Sequence, residues 1–341
     1  MMGPPKSGLT ATAAAALWLL WWPQIAAAQD EPRFDSPVAC PAEFGCLVRN
    51  FVDLDPSPGA HDQNCGAVTY DGHKGVDIRV PDSNSLVRGV EVLAAADGTV
   101  LRSRDSMPDI SIRETGAEAV KDREAGNGLI IDHGNGWETQ YGHLRFNSIS
   151  VKPGDDVKAG QPIGLIGLSG NTEFLHLHFE VRHDGVAIDP YSGLPLGGGC
   201  GKADHTLWTD AALALLPYRT EAPFDAGFAT GAVDFAKARA GAYAADSLST
   251  DIPALVFWAE ALGARAGDQE TIRLIGPDGA ALVDATEPLA DTKVQRSRFA
   301  GVKQPAAGWA AGVYRGEYRV TRTENGETRT VVEITREIEL R

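Results

Sequence analysis

The sequence predicts an all-β protein made of two successive β regions. Short apolar runs separated by glycine turns recur from about residue 66 to residue 195, and strands at such short intervals indicate a compact all-β domain. Strand-like runs return from about residue 219 and include two that flank Asn325-Gly326. That dipeptide is a strong hairpin signal, because both central residues of the tight turn need positive φ. Five or more such strands are typical of a β-sandwich, which we predict as the C-terminal part.

Composition shifts divide the chain into four predicted segments. The first region contains predicted strands at 89–94, 98–101, 128–131 and 162–167, with a charged insertion at 104–127. Residues 29–65 are rich in proline and are predicted to be an irregular arm. Three glycines before Cys200 mark a boundary, and 211–216 is a candidate helical connector. The predicted segments are therefore a signal peptide (1–28), the arm (29–65), a first β domain (66–200) and a C-terminal β-sandwich (201–341).

The N-terminus resembles a secretory signal. One basic residue, Lys6, precedes an apolar run over 9–22, and alanines at 26–28 precede a polar stretch. This order is typical of a cleavable signal peptide, here cut near Ala28. An uncleaved anchor is the alternative, but it needs about 20 apolar residues, and Pro23 and Gln24 interrupt this run. We expect a secreted or periplasmic protein with no membrane span in the mature chain.

Charge and cysteine content narrow the classes of function. The chain has 46 acidic and 31 basic residues, which argues against nucleic acid or anionic lipid as partners, because those need basic surfaces. Its four cysteines suit an oxidising compartment and lack zinc-finger spacing. Two disulfides are therefore predicted. Three pairings stay open, and Cys40–Cys46 with Cys65–Cys200 is preferred because the second would tie the arm to the end of the first domain.

Two histidine clusters carry the spacing of a metal site. His73 and Asp77 are four positions apart, and a glycine between them lets the backbone bend close to a cation. His176 and His178 lie on a predicted strand, where residues two apart face the same side. A further histidine, His143, follows Gly142.

The ligand types indicate zinc. Two imidazoles and one carboxylate from the two clusters would leave a fourth position open for water, as catalytic zinc sites do. Two further histidines near the metal are then candidates to exchange protons and to stabilise an oxyanion. A single histidine in a strand is more often structural, and we interpret the turn residues His133 and His183 in that way. His61 and His205 have no partner at useful spacing in the sequence.

The ordered motifs of residues 66–195 resemble the lysostaphin-type zinc endopeptidases, also called LytM-like peptidases. The resemblance rests on the motifs His73-Lys74-Gly75-Val76-Asp77, Ala95-Ala96-Asp97-Gly98-Thr99-Val100, Gly126-Asn127-Gly128-Leu129-Ile130-Ile131-Asp132-His133-Gly134, Tyr141-Gly142-His143-Leu144, Val157-Lys158-Ala159-Gly160-Gln161-Pro162-Ile163-Gly164 and His176-Leu177-His178-Phe179-Glu180. The resemblance implies an open antiparallel β-sheet groove, one zinc ion on His73, Asp77 and His178, and catalytic roles for His143 and His176. It also implies hydrolysis of peptide bonds in peptidoglycan stems or cross-links, so that peptidoglycan peptides are the expected partners.

Two departures from the family pattern concern the substrate groove. The loop before the second cluster usually reads like Ser-Thr-Gly-x-Ser-Thr-Gly-Pro in the family, whereas this chain has Leu168-Ser169-Gly170-Asn171-Thr172-Glu173-Phe174-Leu175. The insertion at 104–127 also exceeds the usual turn. Both departures concern the residues expected to shape substrate preference rather than the metal site.

Several alternatives stay open at this point. A non-catalytic wall scaffold or amidase activator would use the same fold, and a zinc peptidase could act on protein substrates instead. The C-terminal region is either a binding or positioning module or a spacer that only stabilises the chain, and its partner is unknown. The arm at 29–65 either covers the groove before activation or leaves it open.

Overall fold

The computed structural model describes residues 1–3, 31–202 and 205–341. Most of the predicted signal peptide and its cleavage point near Ala28 lie outside the described residues. Residues 32–341 form one compact unit, and everything below concerns that unit. Within the described ranges, no helix combines the length and the apolar character needed to cross a bilayer.

Within the described residues, the first part of the chain folds into ten strands and short helices. The strands are β1 (Leu47–Asn50), β2 (Val76–Arg79), β3 (Glu91–Leu93), β4 (Gly98–Arg104), β5 (Asn127–Gly134), β6 (Trp137–Leu144), β7 (Asp156–Val157), β8 (Pro162–Leu165), β9 (Leu177–His183) and β10 (Val186–Ile188). The helices are α1 (Ser83–Arg88), α2 (Ile112–Thr115) and a 3₁₀ turn at Ala117–Val120. The last two lie in the predicted insertion, which does separate two strands, β4 and β5.

Antiparallel pairing places the strands with the candidate residues next to one another. The main sheet has the order β1-β2-β9-β6-β5-β4-β7, with β10 paired to β9, and β3 and β8 form a separate ribbon. Strand β9 therefore lies between β2 and β6. The three strands bring residues far apart in sequence onto one face of the sheet.

Alternation along β9 decides which face its histidines occupy. Leu177, Phe179 and Val181 are fully buried in the core of the first part. Because successive strand residues point to opposite faces, His178 and Glu180 face away from that core. Their face of the sheet carries the candidate site.

The C-terminal part is a β-sandwich. Its elements are α3 (Asp210–Leu215), β11 (Ala222–Ala229), α4 (Phe235–Arg239), β12 (Ser247–Leu248), β13 (Ala254–Leu262), β14 (Gln269–Ile275), β15 (Ala281–Pro288), β16 (Gln295–Lys303), β17 (Gly312–Glu324) and β18 (Glu327–Leu340). One sheet has the order β11-β13-β16 and the other β12-β18-β17-β14-β15. Phe257 from the first sheet and Tyr318 and Ile334 from the second share one core. The all-β prediction with a C-terminal sandwich is confirmed.

Local predictions in the C-terminal part also agree with the structure. Asn325 and Gly326 have φ angles of 54° and 82° and join β17 to β18, as the predicted hairpin requires. The candidate connector at 211–216 corresponds to α3. The division into four segments itself stays a prediction, since residues 32–341 form one compact unit.

The arm at 29–65 differs in part from its predicted irregular structure. It contributes β1, which pairs with β2 at the edge of the main sheet. Disulfides join Cys40 to Cys46 and Cys65 to Cys200, the pairing preferred from the sequence. The second bridge links the end of the arm to residue 200, across 135 positions.

Candidate functional site

His73, Asp77 and His178 form a compact group of metal-ligand type. His73 Nε2 lies 3.2 Å from Asp77 Oδ1 and 3.3 Å from His178 Nδ1. His178 Nδ1 lies 2.9 Å from Asp77 Oδ1. His73 and Asp77 are buried, and the side chain of His178 is 14% exposed. The three atoms thus converge on one point at the edge of a groove.

Strand pairing and one glycine create this convergence. Asp77 on β2 is directly opposite His178 on β9, and His73 lies in the turn that leads into β2. A Cβ atom at Gly75 would lie 2.4 Å from the carbonyl oxygen of Phe179 and 3.0 Å from the His178 ring. Only glycine therefore lets this turn pass so close to β9.

The donor set fits zinc. A tetrahedral ion with bonds of about 2.0–2.1 Å holds its ligand atoms roughly 3.3 Å apart, close to the separations of 2.9 to 3.3 Å found here. His73 Nδ1 donates to the carbonyl oxygen of Phe51 at 2.7 Å, which leaves the lone pair of Nε2 free. His178 Nε2 faces Glu180 Oε2 at 3.9 Å. Such outer partners orient histidine ligands in zinc sites.

His143 and His176 lie beside the group. Their ring centroids are 4.8 Å apart, and His143 is 5.9 Å from the His178 ring. His143 Nδ1 donates to the Ser169 carbonyl at 2.8 Å, and His176 Nδ1 donates to the Phe174 carbonyl at 2.9 Å. Both rings therefore keep Nε2 free of a proton when neutral, and His176 Nε2 is 3.3 Å from Asp77 Oδ1.

Burial and neighbouring charges shift the pKa values in the group. Burial alone raises the pKa of Asp77, but the adjacent histidines hold it well below its usual value. Burial lowers the pKa of His178, whereas its hydrogen bond to Asp77 and the nearby Glu180 carboxylate raise it to about 9. Burial lowers the pKa of His143 well below its usual value, and the neighbouring histidines add to the effect. Asp77 is thus a carboxylate and His143 a neutral imidazole at pH 7.

Two cavities border the group. One of about 320 Å³ contains His73, His143 and His178 in its wall, and the other, of about 530 Å³, contains Asp77, His143 and His176. Asn171 of the unusual loop lines both cavities. The insertion contributes Glu124 to the first and Ile112 to the second, so both departures from the family pattern lie at the groove.

Three further histidines, of which His133 and His183 were predicted to be structural, lie outside the group. His133 contacts the Asp97 carbonyl and the Thr139 hydroxyl, and His183 stacks on Trp137 with a centroid distance of 4.3 Å. His61, which has no partner at useful spacing in the sequence, lies 2.7 Å from Asp55 Oδ2.

Sequence reasoning missed the partners that orient the histidines. The carbonyl oxygens of Phe51, Ser169 and Phe174 leave no side-chain signal. Glu180 does leave one, because it lies two residues after His178 on the same face of β9 and is buried. The two-residue period that paired His176 with His178 extends to this carboxylate.

Comparisons with known proteins agree on the segment that carries the site. The model of "Peptidase family M23" matches residues 71–190. "Murein hydrolase activator NlpD" of Salmonella dublin is 31% identical over 140 residues, which are 41% of this chain and 30% of that protein. "Stage II sporulation protein Q" of Bacillus subtilis is 32% identical over 150 residues, 42% of this chain and 44% of that protein. "DD-carboxypeptidase/endopeptidase Mpg" of Neisseria meningitidis serogroup B is 32% identical over 126 residues, 36% of this chain and 23% of that protein.

Solved structures show a similar partial coverage. A zinc containing peptidase from Vibrio cholerae is 26% identical with a TM-score of 0.32, over 47% of this chain and 39% of that one. The chain thus spans less than half the length of the curated relatives named above. The matched segment includes His73, Asp77, His143, His176 and His178. Residues 71–190 of this chain form a domain of peptidase family M23.

Proposed function

We propose that the chain is a zinc-dependent endopeptidase that hydrolyses peptide bonds in peptidoglycan stems or cross-links. One observation carries the proposal. The three ligand atoms of the group are separated by 2.9 to 3.3 Å, and the rings of His143 and His176 lie beside them. A protein that had lost metal chemistry would have no reason to retain all five side chains in this arrangement.

Each residue of the group has a defined task in this proposal. Zinc held by His73, Asp77 and His178 would supply Lewis-acid chemistry, which lowers the pKa of water and polarises a peptide carbonyl. His143 and His176 keep Nδ1–H on main-chain carbonyls, so Nε2 is the atom of each ring that exchanges protons in the groove. One ring accepts the proton of the attacking water at Nε2, and the other stabilises the oxyanion as an imidazolium, which carries a second proton on Nε2.

The substrate and the location are part of the same proposal. Relatives described as a murein hydrolase activator and as a DD-carboxypeptidase/endopeptidase support peptidoglycan peptides as the substrate. We also propose that the protein is exported, with cleavage near Ala28. Its segments are then a signal peptide, the arm, a peptidase domain and the C-terminal β-sandwich. The two disulfides are compatible with an oxidising compartment.

Metal content and wall digestion test the proposal together. The purified mature chain is expected to retain one zinc ion after dialysis and to release soluble peptides from isolated peptidoglycan. His178→Ala removes a ligand atom and is expected to abolish both. His183→Ala changes a histidine of the same strand outside the group and serves as the matched control. A mature chain without zinc, or digestion by His178→Ala at the rate of the unsubstituted chain, would contradict the proposal.

His143→Ala separates catalysis from metal binding. It leaves the three ligands in place, so the zinc content is expected to stay at one ion per chain. Loss of a group that exchanges protons costs about 10²- to 10⁴-fold in rate. An unchanged rate of wall digestion would remove His143 from the mechanism.

The second candidate function is activation of a murein hydrolase without catalysis. Relatives described as murein hydrolase activators favour it. Under this alternative, the chain alone releases nothing from peptidoglycan but increases release by an added N-acetylmuramoyl-amidase. His178→Ala would then retain the stimulation, whereas a peptidase loses its own digestion with that substitution.

A further inference from the structure

The edge strand β1 brings one arginine to the wall of the groove. Strand β1 pairs with β2 so that Val48 is opposite Ile78 and Asn50 is opposite Asp77. The register shifts between these two pairs, and Arg49 is the extra residue. A β-bulge bends its strand and re-aims a side chain, often next to an active site. Arg49 lines the 530 Å³ cavity that also contains Asp77, His143 and His176.

The guanidinium of Arg49 has no hydrogen-bond or ion-pair partner among the described residues. It is half-buried, and burial is the main reason why its pKa is lowered. Among the nearby charges, Asp77 and Glu260 raise the pKa of Arg49. Arg79 and Arg239 lower it. The half-buried guanidinium therefore offers its N–H donors to the groove rather than to an anion of the protein.

Arg182, which lines the other cavity, is an arginine whose donors are all directed to side chains of the protein, in contrast to Arg49. It donates to Glu180 at 2.8 Å and to Gln140 at 2.5 Å, and it lies 3.9 Å from Glu138. Its donors are engaged within the protein, whereas the planar fork of Arg49 is free to hold a carboxylate through two hydrogen bonds.

The cavity at Arg49 has room for part of a peptide beyond the reacting bond. A second cavity, of about 200 Å³, shares Arg49, Ala67 and Val294 with it as lining residues. Val294 and Leu262 of the C-terminal part wall this second cavity. A chain lying in the groove would therefore pass Arg49 on its way from the histidines toward the sandwich.

We propose that Arg49 is a substrate-binding residue that receives a free carboxylate of the peptide. The proposal rests on the proposed function in that the ligand is a peptidoglycan stem, whose residues carry carboxyl groups outside the backbone amides. It makes the endopeptidase selective for anionic peptides, although the chain as a whole has a net charge of −15. It also gives the N-terminal arm a part in substrate recognition.

Binding and digestion are measured separately to test this proposal. The binding probe is a synthetic stem pentapeptide with free carboxyl groups, compared with the same peptide in which every carboxyl group is a carboxamide. Titration calorimetry uses the zinc-loaded mature chain with the substitution His143→Ala, so that the peptides are not consumed. We expect the acid to bind at least about tenfold more tightly than the amide, as a charge-assisted pair in a partly desolvated site implies.

Variants of Arg49 in the same background decide where this preference originates. Arg49→Gln is expected to bring the ratio of the two affinities close to one, and Arg49→Lys to retain part of the preference through its point charge. Lys74→Gln removes one positive charge on the other side of the group, where Lys74 lines the 320 Å³ cavity, and is expected to leave the ratio unchanged. Because the ratio is taken within each variant, it does not depend on the stability of that variant.

Each other outcome overturns the proposal. Equal affinity for acid and amide, binding of neither, a preference that survives Arg49→Gln, or an equal loss in Lys74→Gln would each remove Arg49 as the receptor. Digestion of peptidoglycan by the otherwise unchanged chain is the separate readout of the proposed function. Digestion without a carboxylate preference contradicts only the role of Arg49, whereas the preference without digestion contradicts only the endopeptidase.

Discussion

Glu180 is a buried carboxylate behind the candidate metal group. It lies 3.9 Å from His178 Nε2 and is paired with Arg182 at 2.8 Å. A carboxylate behind a histidine ligand fixes the ring orientation and raises its basicity, and its loss costs about 10- to 100-fold in metal affinity. We expect Glu180→Gln to raise the Kd for zinc by that factor, measured by competition with a chromophoric chelator.

Glu138→Gln is the matched control for this prediction. Glu138 is 3.9 Å from the same Arg182, on the neighbouring strand β6, without a contact to His178. It is expected to leave the zinc Kd unchanged within a factor of two or so. Equal changes in the zinc Kd for the two substitutions would mean that Glu180 acts through Arg182 rather than through His178.

Asp189 is a buried carboxyl group directly after β10. Burial raises its pKa to about 6, although the Ser192 hydroxyl donates to it at 2.5 Å and lowers the pKa in part. Because the folded state binds this proton more tightly than the unfolded chain, the stabilisation is complete below pH 4. It is lost as the pH rises through 6. We expect the free energy of unfolding of Asp189→Asn, relative to the unsubstituted chain, to rise by roughly 2–4 kcal/mol from pH 4 to pH 7.

Urea unfolding at pH 4, 5, 6 and 7 measures this difference. Asp184→Asn, at an exposed carboxyl in the turn between β9 and β10, is the control and is expected to follow the unsubstituted chain. A constant difference between Asp189→Asn and the unsubstituted chain across these pH values would show that Asp189 titrates as an ordinary carboxyl.

The loop of residues 168–175 holds His176 from two sides. Phe174 stacks on the His176 ring with a centroid distance of 4.4 Å and packs against Phe224 of β11 at 5.7 Å. Its carbonyl oxygen also accepts from His176 Nδ1. The loop that departs from the family pattern thus connects a proposed catalytic ring to the C-terminal part.

Phe174→Ala is expected to lower the rate of wall digestion while the zinc content stays at one ion per chain. A small displacement of a catalytic group costs roughly 10- to 100-fold in rate, and we expect the loss in kcat rather than in KM. Phe174→Tyr retains the stacked ring and should restore the rate. Phe235→Ala, in an aromatic cluster with Trp258 and Phe299, is the control. Loss of zinc from Phe174→Ala would instead mean that the loop supports the ligands.

Elements were predictable where a local signal existed. The Asn325-Gly326 hairpin follows from backbone geometry alone, and the alternation around His178 fixes β9 and its faces. Strand β1 was not predictable from the sequence. Its four residues come directly after a disulfide-bonded cysteine and a proline-rich stretch, and they form a strand only because they pair with β2. The bulge that directs Arg49 into the groove depends on that pairing, so no local pattern announces it.

The two β parts of the molecule are joined through buried charges. Arg79 of β2 donates to Asp225 of β11 at 2.6 Å, and neither side chain is exposed. Asp225 also accepts from the main chain of Ser83 at 3.2 Å, and the Arg79 guanidinium lies 4.3 Å from the centre of the Phe224 ring. The two charged residues are separated by 146 positions, so no periodicity in the sequence could have paired them.

Removal of one partner of this pair is expected to be costly. Asp225→Ala leaves the charge of Arg79 buried without its anion, which costs about 3–5 kcal/mol. The double variant Arg79→Met, Asp225→Ala buries no charge and should recover about 2 kcal/mol or more of that loss.

Asp246→Ala is the matched control, because Asp246 forms a pair with Arg88 across the same two parts at 2.9 Å, with side chains 80% and 56% exposed. Such a pair contributes less than about 1 kcal/mol, so urea unfolding of the four proteins gives an ordered series. If Asp225→Ala cost no more than Asp246→Ala, the buried pair would not join the two parts energetically, and apolar contacts such as Phe174 with Phe224 would hold them together.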